Sequence, residues 1–224
     1  MSKGVLTVVS GFSGAGKGTV MKRLIQKYDD YALSISVTTR KPREGERDGI
    51  EYFFKTKEEV ETMIENDEFL EYARYVDNYY GTPRFYVEEM LAKGKNVILE
   101  IEIQGAMQIK SKNPEAVLVF VTPPSFEELR NRLVGRGTET ADVIESRLRR
   151  ASEEAEGMPS YDYILVNDQV EDCVDRLHQI ILSERAKAQR NEEFINTIRQ
   201  EARIFMKGDK YYVTSIIFRT YSGN

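Results

Sequence analysis

The sequence is poor in the residues from which disulfides and metal clusters are built. Its 224 residues include a single cysteine, Cys173, and a single histidine, His178. One cysteine excludes an intrachain disulfide and any metal cluster made of several cysteines. Both residues lie in a segment, 169–189, whose periodicity predicts a helix. We therefore expect Cys173 to be a core residue of that helix and His178 to have a structural rather than a catalytic role.

Long apolar stretches are also missing. No run approaches the roughly 20 residues that a membrane-spanning helix needs, and the start of the sequence lacks the basic and then apolar layout of a secretion signal. With 41% hydrophobic and 31% charged residues, the composition is that of an ordinary soluble domain with a substantial core. We expect a cytoplasmic protein without a membrane partner. Whether it is a monomer or a homo-oligomer stays open.

The chain has no excess of positive charge. It carries 32 Lys and Arg against 37 Asp and Glu, a net charge of −5, which argues against a general nucleic-acid-binding protein. The positive charge is local instead, and such clusters are usually solvated faces, although they also suit small anions. One cluster consists of Arg40, Lys41, Arg43 and Arg47, and the other of Arg130, Arg132, Arg136, Arg147, Arg149 and Arg150.

A phosphate-binding loop is the most informative feature that is present. After a buried-looking strand at 4–10, the segment from Gly11 to Lys17 has the spacing G-x-x-x-x-G-K. Its glycines permit backbone angles that let N–H groups converge on phosphate oxygens, the next helix adds its positive end, and Lys17 adds a charge. A plain glycine turn is the alternative. The predicted ATP-binding residues are Gly11, Phe12, Ser13, Gly14, Ala15, Gly16, Lys17, Gly18 and Thr19.

The residue after the lysine departs from the strict pattern. That pattern has Ser or Thr there, whose hydroxyl binds Mg²⁺, whereas this chain has Gly18 followed by Thr19. We expect Thr19 to reach the metal shell instead. In a chain with such a loop, the two basic clusters are better explained as two further phosphate contacts.

Apolar runs that alternate with longer periodic segments predict an α/β fold with a parallel sheet covered by helices. The predicted elements are strand 4–10, helix 16–28, strand 96–101, helix 104–112, strand 117–122, helix 125–134, strand 162–166 and helix 169–189. Ligands in such sheets bind at the carboxyl ends of the strands, where the loop falls.

Two segments interrupt this alternation. Residues 37–88 mix β-prone pieces at 50–54 and 69–75 with an amphipathic helix at 57–66, and we interpret them as a substrate lobe. Residues 135–140, GRGTET, have the flexible composition of a lid. From about Arg190 the chain continues as a polar helix and then a β-prone run at 211–218, to which we assign no role.

The turn after residue 39 is a candidate acceptor site. Arg40 and Arg43 flank Pro42, and two guanidinium groups so placed suit one phosphate monoester, which arginine can bind through two N–H groups at once. Tyr52 and Tyr80 could each add a hydroxyl donor, although such tyrosines are more often core or interface residues.

Six segments then identify a family. They are 10–17 (SGFSGAGK), 36–43 (SVTTRKPR), 69–73 (FLEYA), 78–81 (NYYG), 98–102 (ILEIE) and 135–140 (GRGTET). They occur in the order found in guanylate kinases, and the chain resembles that family over about residues 4–185. The resemblance implies direct, reversible transfer of the γ-phosphoryl group of ATP to GMP, and to dGMP, in purine nucleotide metabolism. It also implies a phosphate-loop kinase core with a parallel five-stranded sheet (4–36, 89–134 and 150–189), a mixed α+β GMP-binding lobe (37–88), a lid (135–149) and an extension of unknown role (190–224).

The resemblance also implies substrate contacts. It puts Arg40, Arg43, Tyr52 and Tyr80 on the phosphate of GMP, and Ser36, Glu71, Thr82 and Glu102 on guanine. A carboxylate suits guanine because N1–H and the exocyclic amine are adjacent donors that adenine lacks, and such sites discriminate by roughly 10⁴. From the residues alone, Glu71 would be a solvent-facing residue of an edge strand. Phe12 and Thr82 stand where the family often has proline and serine, and neither change removes a needed donor.

Two acidic residues close the strand predicted at 96–101. Residues two apart in a strand point to the same side, so we expect Glu100 and Glu102 to face cations or ligand donors together, since unpaired burial is costly. We expect Glu100 to orient water on Mg²⁺ and Glu102 to reach guanine, with the order of these roles open.

Because a phosphate monoester is already largely ionised at pH 7, positioning and charge neutralisation suffice for the reaction. The residues expected to be catalytic are Lys17, Arg40, Glu100, Arg132, Arg136 and Arg147. The resemblance places Asn167 near the donor adenine, and a plain turn residue is the alternative. Three other functions remain open: an inert protein-binding module, a kinase for another phosphorylated acceptor such as a sugar phosphate, and a phosphate-loop hydrolase or switch protein.

Overall fold

The computed structural model of the chain describes residues 3–135 and 140–208. They fall into two units: Lys3–Arg185, and a second that begins at Ala186. Within the described residues, no helix is long and apolar enough to cross a membrane.

The first unit contains both strands and helices. In order they are β1 (Leu6–Gly11), α1 (Lys17–Lys27), β2 (Tyr31–Leu33), β3 (Val37–Thr38), β4 (Phe53–Phe54), α2 (Lys57–Glu65), β5 (Phe69–Tyr75), β6 (Asn78–Pro83), α3 (Arg84–Ala92), β7 (Asn96–Glu100), α4 (Ile103–Lys112), β8 (Val117–Thr122), α5 (Phe126–Gly135), α6 (Ala141–Ala155), β9 (Tyr163–Val166) and α7 (Val170–Arg185).

Five strands form the main sheet in the order β2-β7-β1-β8-β9, and every pair in it is parallel. Strands β1 and β8 are almost wholly buried, as expected of central strands with helices on both faces. Their carboxyl ends lie at one edge, where β1 leads into the loop before α1. The parallel α/β fold predicted from the sequence is confirmed.

The core reaches that loop through aromatic contacts. The ring of Phe12 packs edge-on against Phe120 of β8, with centroids 5.0 Å apart, and Phe120 packs in the same way on Tyr161 at 5.1 Å. Phe12 is 5% exposed. An apolar ring at this position therefore anchors the start of the loop to the sheet.

A smaller sheet carries the segment predicted as a substrate lobe. Its strand order is β4-β3-β6-β5, with β6 antiparallel to both neighbours and β3 parallel to β4. Helix α2 begins at a complete capping box, in which Thr56 and Glu59 each bond the other's backbone N–H. Val37, Val60 and Phe69 form a separate small core under it.

Helix α7 places the single cysteine and histidine as expected. Cys173 is 1% exposed in the core, which confirms that prediction. His178 stacks on Tyr28, with ring centroids 3.7 Å apart, and its Nδ1 is 2.7 Å from the hydroxyl of Tyr31. These contacts fit a structural role.

Several element bounds differ from the predicted ones. The helix predicted at 169–189 ends at Arg185, and α3, which was not predicted, crosses the expected lobe boundary at residue 88. The lid interpretation covers 136–139, which lie outside the described residues, and continues into α6.

The second unit has a short 3₁₀ turn, Ala188–Asn191, and helix α8, Glu192–Gly208. This helix fits the polar helix expected from about residue 190, although it also exposes Phe194 and Phe205. The β-prone run predicted at 211–218 lies outside the described residues.

Candidate active site

The loop between β1 and α1 has the conformation that its glycines allow. Gly11, Gly14 and Gly16 have φ angles of 149°, 100° and 88°, which other residues rarely adopt. A Cβ atom on Gly11 would lie 2.1 Å from the carbonyl oxygen of Val121. Neither the backbone nor the surrounding space accepts a side chain there.

Lys17 opens helix α1 and turns back over the loop. Its Nζ donates to the carbonyl oxygens of Gly11 at 2.7 Å and Phe12 at 3.2 Å. The ammonium group thus lies in the concave side of the loop, at the amino end of an 11-residue helix. A positive helix end and a lysine together form an anion site.

A carboxylate stands at the next strand end. Glu100 is the last residue of β7, paired in register with Val9 of β1. A Cβ atom on Gly18 would be 3.9 Å from Oε2 of Glu100, so this carboxylate lies against the first turn of α1. Burial among protein atoms raises the pKa of Glu100, and the charge of Lys17 partly opposes that rise. Thr19 is exposed on the same first turn.

Asn167 contacts the phosphate loop from the other side. It follows β9 and is 3% exposed, and its Nδ2 donates to the carbonyl oxygen of Ala15 at 2.8 Å. Its Oδ1 is buried without a hydrogen-bond partner in the described part of the chain. A Cβ atom on Gly16 would lie 2.5 Å from that Nδ2. The expected adenine contact stays a prediction, while the contact that the structure does have is with the loop.

Two of the arginines expected to act on the group in transfer lie on two helices, α5 of the core and α6 of the expected lid. Arg147 of α6 donates from Nη1 to Oγ of Ser13 at 3.0 Å, which joins α6 to the phosphate loop. Arg132 of α5 is paired with Glu128 one turn earlier, at 2.8 Å. Arg136 lies outside the described residues.

A second basic cluster lies in the turn after β3. The guanidinium carbon of Arg40 is 5.4 Å from the ring centroid of Tyr52. Hydrogen bonds, mainly with Glu46 and to a smaller extent with Tyr80, raise the pKa of Arg40. The rings of Tyr52 and Tyr80 are 6.2 Å apart between centroids. The structure therefore brings three of the four expected phosphate contacts together, whereas the side chain of Arg43 is exposed beside them.

Glu46 in this turn was missed by the sequence analysis. Its two carboxylate oxygens each accept from Arg40 at 2.9 Å, and Oε2 also accepts from the backbone N–H of Arg43 at 2.7 Å. The hydrogen bonds from Arg40 and then from Arg43 hold the pKa of Glu46 below its ordinary value. One signal was available: Glu46 is one of two glutamates, with Glu44, that stand among the four basic residues of this turn.

Glu71 is a buried carboxylate in the smaller sheet. It lies on β5 opposite Thr82 of β6, and it is 8% exposed. Its Oε1 accepts from Oγ1 of Thr82 at 2.7 Å, and a Cβ atom on Gly105 of α4 would be 3.2 Å from its Oε2. Burial raises the pKa of Glu71, and the hydrogen bonds of Thr82 oppose the rise. Although β5 is an edge strand, Glu71 is therefore not the solvent-facing residue that the residues alone suggested.

Ser36 lies directly before β3 in the same sheet. It is half-buried, and its carbonyl oxygen accepts from the N–H of Phe53 at 2.9 Å.

Glu102 differs from the expectation for the paired strand-end carboxylates. Strand β7 ends at Glu100, and Glu102 is the N-cap residue of α4 with a largely exposed side chain. Its Oε2 is 2.8 Å from Nη2 of Arg150 in α6. The premise that both carboxylates point to one side of a strand was wrong, because the chain leaves the strand between them.

The site thus contains three groups of expected residues. The first group lies at the phosphate loop and consists of Ser13, Lys17, Glu100, Asn167 and Arg147. In the second, Arg40 lies with Tyr52 and Tyr80, and in the third, Glu71 pairs with Thr82. A phosphate-binding loop, a second guanidinium site and a buried carboxylate are the components of phosphoryl transfer between two anions.

Comparison with known proteins gives one answer. A family model described as guanylate kinase matches residues 3–184. The guanylate kinase of Bacillus cereus (strain ZK / E33L) is 56% identical over 189 residues, which are 84% of this chain and 92% of that protein. The guanylate kinase of Caldanaerobacter subterraneus subsp. tengcongensis is 50% identical over 200 residues, 89% of this chain and 97% of that protein.

A solved structure agrees. The crystal structure of guanylate kinase from Anaplasma phagocytophilum is similar with a TM-score of 0.65 and 35% identity, over 84% of this chain and 90% of that one. Since the family model and the relatives both cover most of the sequence, the chain belongs to the guanylate kinase family, which phosphorylates GMP with ATP.

Proposed function

We propose that this chain transfers the γ-phosphoryl group of ATP directly and reversibly to GMP or dGMP, giving ADP and GDP or dGDP, in purine nucleotide metabolism. The observation that carries the choice of acceptor is Glu71, a buried carboxylate whose partner is the hydroxyl of Thr82. A buried carboxylate has lost its hydration, and it is stabilised most by a ligand that offers two adjacent N–H groups, as guanine does.

The donor side of the proposal is the phosphate loop. Its amide groups and Lys17 would hold the terminal phosphates of ATP, with Ser13 and Asn167 supporting the loop. Family similarity also places Asn167 near the donor adenine.

The acceptor side comprises the turn after β3 and the smaller sheet. Arg40 would bind the GMP phosphate with Tyr52 and Tyr80 beside it, and Arg43 would join them once its exposed side chain turns inward. Glu71 and Thr82 would bind guanine, together with Ser36 and, after release from Arg150, Glu102.

The chemistry needs no covalent intermediate and no strong base, because an oxygen of the GMP phosphate is already ionised and can attack the γ-phosphorus in line. Lys17 and Arg40 would neutralise the two substrates, and Arg132, Arg136 and Arg147 would neutralise the group in transfer. Closure of the lid at 135–149 over the core (4–36, 89–134 and 150–189) and the GMP lobe (37–88) would exclude water as a competing acceptor.

The residues at the loop fit a magnesium ion held largely by phosphates and water. Carboxylate and hydroxyl oxygens suit Mg²⁺, and Glu100 lies against the first turn of α1, where Thr19 is exposed. Glu100 would hold a water ligand of the ion, with Thr19 as a further oxygen donor, and the bound ion would reduce the charge on the donor phosphates. ATP and GMP as substrates also fit the expected cytoplasmic location.

A panel of acceptors tests the proposal. ADP release from ATP is followed with GMP, dGMP, AMP, CMP or UMP present, and without an acceptor. We expect GMP to be preferred, dGMP to be used, and AMP to be worse than GMP by roughly 10³-fold or more in kcat/KM. A preference for AMP, or ATP hydrolysis that does not depend on an acceptor, would refute it.

A further inference from the structure

The guanidinium group of Arg40 is bound by the carboxylate of Glu46, which is not one of the expected substrate contacts. Nη1 and Nη2 of Arg40 donate to the two oxygens of Glu46, both at 2.9 Å. Nη1 also donates to the carbonyl oxygen of Lys41 at 2.8 Å. The paired geometry fixes both the position and the plane of the guanidinium.

The surroundings make this ion pair more than a surface contact. The side chains of Arg40 and Glu46 are only 17% and 18% exposed. The guanidinium lies 5.4 Å from the ring centroid of Tyr52 and 5.9 Å from that of Phe54, so aromatic rings limit its movement. Glu46 also accepts from the backbone N–H of Arg43, which ties the whole turn to the same carboxylate.

A guanidinium has two edges that can each bind an anion through paired N–H groups. Glu46 takes the end-on edge, formed by Nη1 and Nη2. The side-on edge, formed by Nε and the second hydrogen of Nη2, is not used by this carboxylate. This edge also faces the hydroxyl of Tyr80, which hydrogen-bonds Arg40 and is itself an expected phosphate contact. Arg40 and Tyr80 can therefore bind a phosphate from the side-on edge while Glu46 stays in place.

We propose that Glu46 is a positioning residue that presents the side-on edge of Arg40 to the phosphate of the acceptor. The inference rests on the proposed function, in which Arg40 binds that phosphate. Glu46 does not touch the substrate, and it acts by keeping Arg40 and the backbone of Arg43 in the binding orientation before GMP arrives.

The sign of the effect separates this role from simple electrostatics. The carboxylate of Glu46 is a negative charge close to a site for a phosphate dianion, so charge alone predicts that its removal strengthens binding of GMP. The positioning role predicts the opposite, because an unheld guanidinium must be ordered when GMP binds.

The variant E46Q tests this, with E44Q as the matched control. Glu44 is exposed in the same turn, so E44Q also removes one negative charge from the turn but leaves the ion pair between Arg40 and Glu46 intact. We expect E46Q to raise the KM for GMP about tenfold or more, to leave the KM for ATP within about twofold, and to lower kcat less than it raises KM. E44Q should leave the KM for GMP equal to or below that of the wild type.

A double-mutant cycle with R40K tests whether Glu46 acts through Arg40. Lysine keeps the charge at position 40 but has no second edge to orient, so E46Q should weaken GMP binding, measured by calorimetry, far less in the R40K background. E46D keeps a carboxylate and should recover part of the affinity, which a role in folding alone does not predict.

Three results would overturn the inference: a KM for GMP that is unchanged or lower in E46Q, equal shifts in E46Q and E44Q, or additive effects of E46Q and R40K. If E46Q does not fold, the comparison of E46D and R40K with their double variant decides in the same way. The wild type in the same assay reports separately on the proposed function, because an enzyme that ignores GMP would fail before any variant is compared.

Discussion

The replacement of Glu71 by glutamine should move substrate binding and protein stability in opposite directions. Glutamine has nearly the same shape, and its carbonyl oxygen can keep the hydrogen bond that Oε1 accepts from Thr82 at 2.7 Å. The changed atom is Oε2, on the side of Gly105, which becomes an NH₂ group and changes from acceptor to donor.

The loss in binding follows from this single atom. One hydrogen bond from guanine to a charged acceptor disappears, which is about 1.5–3 kcal/mol, and two donors then face each other, which costs about 1–3 kcal/mol more. At about 2.5 kcal/mol, the low end of that sum, kcat/KM for GMP should fall by roughly 70-fold or more. The KM for ATP should stay unchanged, because the phosphate loop is not altered.

The gain in stability follows from burial. Desolvation raises the pKa of Glu71, so the ionised carboxylate makes the folded state less stable at neutral pH. The neutral amide removes that cost, and we expect the free energy of unfolding at pH 7 to rise by about 1 kcal/mol. The cost is fully present above the raised pKa and is absent below the ordinary carboxyl pKa of about 4.3, so the difference from the wild type should vanish as the pH falls through that range.

Steady-state kinetics with GMP and urea unfolding at several pH values measure both effects. The matched control is E68Q, which removes an exposed charge three residues away and should change neither quantity appreciably. An E71Q enzyme with the GMP kinetics of the wild type, or one that is less stable than the wild type at pH 7, would refute the reasoning.

Three further substitutions test the phosphate loop and the lid. G16A puts a Cβ 2.5 Å from Nδ2 of Asn167 at a φ of 88°. It should therefore lower the stability measured by thermal unfolding by about 1–2 kcal/mol and raise the KM for ATP without changing the KM for GMP, and unchanged ATP kinetics would contradict this. N167D loses the N–H group that donates to Ala15. We expect kcat/KM to fall about tenfold with ATP and by the same factor with a second nucleoside triphosphate as donor, whereas a loss confined to ATP would indicate a contact with adenine instead. R147M should lower kcat by roughly 10²-fold with little change in the KM for GMP, while R149M, at an exposed position paired with Glu145, should match the wild type; equal effects would argue against Arg147.

Features with a local cause were predictable from the sequence. The phosphate loop follows from glycine spacing, and the three glycines have the positive φ angles that this spacing implies. The parallel sheet follows from short apolar runs between helical segments, and β8 has the predicted bounds, Val117–Thr122. In both cases the evidence lies within a few consecutive residues.

Features that depend on where a strand ends or a helix begins were harder to predict. Glu102 has strand-like alternation with Glu100, but β7 ends at Glu100, and Glu102 is the N-cap residue of α4, which begins at Ile103. Glutamate is an uncommon N-cap residue, so no capping signal marked the change. Helix α3 was missed for a related reason, since it starts directly after Pro83 with no side-chain cap.

The carboxylates of the site show why residue type alone could not assign roles. Glu46, Glu71 and Glu100 have the same side chain, yet the pKa of Glu46 is lowered by hydrogen bonds from Arg40 and Arg43, while burial raises that of the other two. These differences come from groups that fold next to each carboxylate, such as Thr82 on the neighbouring strand for Glu71 and the distant Lys17 for Glu100. A carboxylate that is already satisfied by arginine can organise a site, whereas one that is buried with a single hydroxyl is stabilised most by a ligand. The E46Q and E71Q variants should therefore differ in stability as well as in binding. Of the two carboxylates, only that of Glu71 lowers the stability of the folded protein before GMP binds.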